Sequence, residues 1–132
     1  YEVGSGVINL IDPRGEFGKF QIYGDTYYDL AKMRHSVSGK YDFIINDMFR
    51  IERNEDSVAY EVFIDEKHRE REALFDNLLE SEYGGKIRKI KGIEALLFLS
   101  MVPLHSDYPE RQHYMISKGI ELANDNLIEV TK

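Results

Sequence analysis

Asp12 closes the apolar run Val7-Ile8-Asn9-Leu10-Ile11 and is followed at once by Pro13-Arg14-Gly15. A carboxylate at that place sits where a strand ends, with its backbone held by the sheet and its side chain free to reach a ligand. A hard cation such as Mg²⁺ takes oxygen ligands, often one or two carboxylates completed by phosphate oxygens. Asp12 is therefore a candidate metal ligand. It is also the residue type that opens a turn by bonding its own backbone. Arg14 is a candidate contact for a phosphate or an acidic substrate, and its competing reading is a solvated loop charge.

The histidines offer less. His35 and Ser36 adjoin each other without an acid partner in the local sequence, which is poor ground for a hydrolase. His105 follows Pro103-Leu104 and is a candidate pocket residue or a hydrogen-bonded loop histidine. His68 and His113 read as exposed helix residues, and no pair has the spacing of a helical zinc site. Glu66 to Glu72 alternates in sign and reads as a solvated helix face with i,i+4 pairs. Lys86 to Lys91 reads as a solvated, basic helix start.

The elements that would position these residues follow from periodicity and punctuation. Tyr1 to Asp12 predicts a hairpin turning at Gly4-Ser5-Gly6, followed by a loop with Gly15, Gly18 and Gly24. A helix is expected from about Asp25 to Ser38, with Asp25 or Thr26 as N-cap, Gly39 as stop, and Tyr27, Leu30, Ala31 and Arg34 on one face. Tyr41 to Met48 fits helix and strand alike. Phe49 to Arg53 and Val58 to Ile64 predict a second hairpin around Asn54-Glu55-Asp56-Ser57. Asp65 can cap a helix to about Glu80, with Leu74, Phe75 and Leu78 inward, ending at Gly84-Gly85. Lys89 to Val102 is the most apolar helix and should be the central core element, closed by Pro103. A last helix should open near Asp107, with Pro109 in its first turn, and run to about Asn124. Strands then helices, without repeat or linker, predict one unit over 1–132 of α+β class, mostly α-helical.

Composition sets the outer limits. The 132 residues suffice for one domain with a core, at 42% apolar and 31% charged. A net charge of −7 argues against nonspecific binding to nucleic acid or to an anionic membrane. With no cysteine there is neither disulfide nor thiolate chemistry. No signal peptide is visible and no apolar run is long enough to span a bilayer, so a cytoplasmic location is the expectation. The chain opens at Tyr1, in what reads as mid-strand, and further sequence upstream is expected.

Two stretches carry a likeness. IDPRG at Ile11 to Gly15, then YGDTYYDLAKMRHS at Tyr23 to Ser36, resemble the aminoglycoside phosphotransferase and choline kinase superfamily, which shares the protein-kinase fold. In that family a strand ends in a Mg²⁺-binding aspartate, a loop follows, and a helix opens with Gly-Asp-x-x-x-Asp-Leu-Ala. Here that pattern is Gly24-Asp25-Thr26-Tyr27-Tyr28-Asp29-Leu30-Ala31. Ile93 to Gln112 is also similar to a subgroup linked to surface and capsular polysaccharide synthesis.

The resemblance implies the C-terminal lobe of a kinase-like fold with a short N-terminal hairpin. It implies transfer of a nucleotide's γ-phosphoryl to a hydroxyl of a small molecule, a sugar, polyol or amino alcohol, with Mg²⁺ and ATP or another nucleoside triphosphate as cofactors. Asp12 would hold Mg²⁺, and Asp29 would brace the catalytic loop by accepting its backbone N–H groups. The competing reading of Asp29 is a first-turn acid favoured by the helix dipole. The chain departs from the family in one serious respect. The His-Gly-Asp loop that supplies the base is not in these residues, nor is the glycine-rich phosphate loop. The base is expected upstream of Tyr1, and the chain alone is expected to be inactive. The alternative is a kinase-fold scaffold or interaction module without catalysis.

Overall fold

The computed structural model describes Lys19 and residues 24–128. The predicted hairpin over Tyr1 to Asp12, with Asp12 and Arg14, lies outside the described residues. Within them the architecture is α+β and mostly helical.

Helix α1 spans Thr26–Val37. Asp25 has extended backbone and its side chain accepts from the Tyr27 N–H at 2.9 Å, so the capping residue is the predicted one. The helix stops where Ser38 and Gly39 N–H both return to the Arg34 carbonyl. Glycine is required at 39 by close approach. A Cβ there would stand 2.5 Å from the His35 carbonyl oxygen and 2.8 Å from the Phe98 ring. The ambiguous stretch after it resolves as a short helix, α2, Tyr41–Ile45. It is entered through Lys40 and left through Asp47, both in the left-handed region at φ 60° and 57°.

Strands β1, Phe49–Arg53, and β2, Val58–Val62, form the expected antiparallel hairpin, with Phe49 opposite Val62 and Ile51 opposite Tyr60. Phe49 and Tyr60 lay their rings on Tyr114, centroids 5.5 and 4.7 Å apart, which fixes the hairpin to the helical body.

Helix α3, Glu66–Tyr83, is capped by Asp65, whose carboxylate accepts from the His68 N–H at 2.7 Å. A 3₁₀ turn, Gly84–Lys86, leads into α4, Ile87–Met101. A second 3₁₀ turn, Val102–His105, leads to α5, Pro109–Ile128. Helix α4 lies between α1 and α5, as its apolar sequence predicted. It joins two apolar clusters. One is Ile44, Ala95, Phe98, Tyr114, Met115 and Leu122; the other gathers Tyr27, Leu30 and Ile93 around Ala31, Ile90 and Leu97.

Helix α3 departs from its expected orientation. Leu74 and Leu78 are 70% and 56% exposed, so they face outward, and only Phe75 of the predicted trio is partly covered. The inward stripe is His68, Glu72, Phe75, Asp76 and Leu79, spaced four, three, one and three residues apart. The cause is polar. His68 Nε2 meets the Val37 carbonyl at 2.8 Å, Lys40 reaches Glu72, and Arg34 and Ser38 reach Asp76. These bonds turn the helix by its acids and His68, leaving the two leucines on the far side. His68, expected in solvent, is therefore buried, with its ring edge-on to Phe43 at 4.6 Å.

Candidate functional site

Two groups of residues with chemistry lie at opposite ends of α1. At its start, Asp25 does more than cap. Lys89 Nζ donates to Asp25 Oδ2 at 2.7 Å and stands 4.3 Å from the centre of the Tyr27 ring. That bond first, and the Tyr27 N–H second, hold the Asp25 carboxyl below its usual range. Lys89, read as part of a solvated helix start, thus ties α4 to the opening of α1.

Asp29 lies one turn further on and is exposed. Its side chain makes no hydrogen bond or ion pair with any described residue, although the helix that carries it is fixed in the core by Ala31, Arg34 and His35. Asp12 and Arg14 are outside the described residues. Among the described residues no three His, Asp or Glu side chains come together in a way that could hold a metal ion.

The histidines do not assemble a nucleophile. His35 is buried between Tyr41 and Phe98, ring centroids 4.7 and 4.1 Å away, and neither ring nitrogen has a protein partner. Burial chiefly, helped by the Lys32 charge, lowers its pKa to about 4, so it is neutral at pH 7. His105 sits in the 3₁₀ turn with Nε2 3.4 Å from the Tyr41 hydroxyl, and no acid joins them. Among the described residues neither ring bonds a serine or a carboxylate. His113 is partly buried and takes up the Arg53 guanidinium at 3.0 Å.

At the far end of α1 lies a group that sequence patterning missed. Arg34 is buried and bonds the Asp76 carboxylate of α3, while Ser38 Oγ lies 3.0 Å from both. Arg34 Nε stands 2.8 Å from Glu94 Oε2 on α4, but out of line for a hydrogen bond. Glu94 is fully enclosed, and neither of its oxygens takes an in-line hydrogen bond. Enclosure pushes its carboxyl up to about 7 against the pull of Arg34 and Lys118. The one available signal was a lone glutamate inside the apolar stretch Ile93 to Leu99. Arg34 and Glu94 are closed to solvent and only Asp76 reaches the surface, so the centre is built to set helix packing.

The seam continues toward the surface. Lys40 lies 3.3 Å from Glu72, and Lys118 lies 3.1 Å from Glu121, which also accepts from the Tyr60 hydroxyl. Arg34, Asp76, Glu94, Lys40, Glu72, Lys118 and Glu121 thereby join α1, α3, α4, α5 and the hairpin.

No family model, no curated protein and no solved structure matches the chain.

Proposed function

We propose that the chain is the rear part of the larger lobe of a kinase-like phosphotransferase. The full protein would move the γ-phosphoryl of a nucleotide to a hydroxyl of a sugar, polyol or amino alcohol, in the setting of surface polysaccharide synthesis. The observation that carries this reading is Asp29. It is exposed and pairs with no described residue, in the first turn of a helix that buries Ala31, Arg34 and His35 further on. A carboxylate on so rigid a base suits the bracing of a loop from outside the described residues, where it would accept two or three backbone N–H groups. Asp29 is then a positioning residue.

Phosphoryl transfer relies on positioning and on charge neutralisation, with little covalent work for the protein. Bound Mg²⁺ would supply that neutralisation of phosphate charge. Its proposed ligand in this chain is Asp12 alone. Asp25 is occupied by Lys89 and by its own helix, so it stands with the cap and not with the metal. These residues contain no base, so no transfer is assigned to them by themselves. Arg14 and His105 remain proposed substrate contacts, His105 beside the Tyr41 hydroxyl.

The test is Mg²⁺-dependent nucleotide binding by the full-length protein, with Asp12→Asn and Asp29→Asn beside it. Loss of metal-dependent binding is expected for Asp12→Asn, and an unchanged affinity would remove the metal role. Asp29→Asn should lower kcat and leave KM for the nucleotide nearly unchanged. A full-length protein that binds no nucleotide under any condition points instead to the non-catalytic scaffold.

A further inference from the structure

Beneath the hairpin, between β2, α3 and α5, lies a cavity of about 310 Å³ walled by Tyr60, Glu61, Arg69, Tyr114, Lys40 and Lys118. We propose that this cavity is a binding site for a small oxyanion, a phosphate or carboxylate group on a molecule of a few carbons, held by Lys40, Lys118 and Arg69. The proposal stands on residues separate from Asp12 and Asp29 and survives if the phosphotransferase reading fails.

Charge makes the first part of the case. Three cations line the cavity with one carboxylate, Glu61, which Arg50 engages at 3.1 Å, while the cations' own acids, Glu72 at 3.3 Å from Lys40, Glu121 at 3.1 Å from Lys118 and Glu66 at 3.8 Å from Arg69, are not in its lining. On a chain of net charge −7, three cationic donors on one cavity wall with their acids outside its lining are a specific arrangement of charge.

The second part is that the cations are built in. The side chains of Lys40 and Lys118 are only 21% and 16% exposed, where lysine is normally solvated. Lys40 is itself in the left-handed region, at φ 60°, directly after Gly39. The Gly39 carbonyl accepts from the Tyr114 hydroxyl at 3.3 Å, so the turn that aims Lys40 is anchored to the cavity wall. Lys118 leaves α5 one turn after Tyr114. Burial, and next the nearby Lys40 charge, lower the Lys118 pKa, so these two ammonium groups feel each other. Their carboxylate partners, Glu72 and Glu121, lie outside the cavity lining, so an anion inside it would approach both lysines from the open side. Arg69, 61% exposed at the rim, adds a planar fork suited to either phosphate or carboxylate. The volume, near the lower end for small-molecule sites, limits the ligand to a short one.

The test titrates inorganic phosphate and, separately, citrate into the full chain at constant ionic strength. Backbone amide shifts of Lys40, Tyr114 and Lys118 report binding. Saturable shifts are expected in at least one arm. Saturation by phosphate alone identifies a phosphoester site, and equal saturation by citrate identifies a small-carboxylate site. Lys118→Met and Lys40→Met should each weaken binding about tenfold, the scale of one charge-assisted hydrogen bond. Arg69→Gln, whose exposed side chain can be removed without disturbing the core, should weaken it several-fold. Lys67→Met, an exposed charge elsewhere on α3, should change it by less than about twofold. Non-saturable shifts in both arms would overturn the site. So would a loss in Lys67→Met as large as that in Arg69→Gln, since that is ionic screening.

Discussion

Helix α1 presents Asp25 and Asp29 at its first turn and Arg34, His35 and Ser38 in and beyond its last. The first set is exposed, and the ion pair of Asp25 with Lys89 is half in water. The second set is buried and meets two other helices, α3 through Asp76 and α4 through Glu94, both at Arg34. The same kinds of group thus have opposite consequences. Exposed charge can leave its partner at little cost, so it is available to a ligand or a neighbouring loop. Buried charge cannot, because desolvation is recovered only while every partner stays in place. The proposed bracing role of Asp29 lies at the first end of the helix, and the buried ion pairs that join helices lie at the second.

Breaking the buried end should give the largest effect. Arg34→Met leaves Glu94 and Asp76 without their shared cation and should cost about 3–5 kcal/mol in urea unfolding. The double change Arg34→Met with Glu94→Leu should recover much of that loss, since an apolar replacement of a buried pair is often neutral or better. If Arg34→Met costs no more than a surface substitution, the seam does not hold the helices and the contrast between the two ends fails.

The next test separates two buried groups by pH. Glu94 is raised from 4.5 to about 7 on folding, so between those values the native state holds a proton that the unfolded chain releases. Its contribution is fully present below 4.5 and is lost as pH rises through 7. His35 is lowered from 6.5 to about 4, so its contribution is fully present above 6.5 and is lost as pH falls toward 4. Between pH 4.5 and 6.5 the two slopes oppose, each at most about 1.4 kcal/mol per pH unit, and the wild type should be nearly flat. Glu94→Gln should expose the His35 slope, with stability falling on acidification. His35→Phe should expose the Glu94 slope, with stability falling as pH rises. A Glu94→Gln profile that overlays the wild type would show that Glu94 is not protonated in the native state.

The same contrast explains what was legible in the sequence. Asp25, Gly39, Asp65, Pro103 and Pro109 mark ends of elements through local chemistry, and each does so in the structure. The hairpin around Asn54 to Ser57 and the central place of α4 followed from alternation and from apolar content. Orientation was legible only where apolar residues decide it. On α3 they do not. His68, Glu72 and Asp76 turn inward because Val37, Lys40, Arg34 and Ser38 receive them, and those partners stand 31 to 42 positions away in the chain. No local pattern carries that information. For the same reason Arg34 could be placed on an inward face without its meeting with Glu94 being foreseen, and the cavity at Lys40 and Lys118 was not foreseen at all.

The exposed end should yield the smallest stability changes and sharpen the comparison by doing so. Asp25→Ala removes the cap and the Lys89 bond together and should lower the melting temperature measurably, but by less than any change in the buried seam. Lys89→Met should reproduce only part of that loss, because the Tyr27 N–H keeps its acceptor. Asp29→Ala should change stability by no more than about 0.5 kcal/mol, since no described residue depends on its carboxylate. In the full-length protein the same substitution should nevertheless lower turnover if Asp29 braces a catalytic loop. A variant with unchanged stability and unchanged turnover would return Asp29 to the role of a first-turn acid, favoured by the helix dipole and by nothing else.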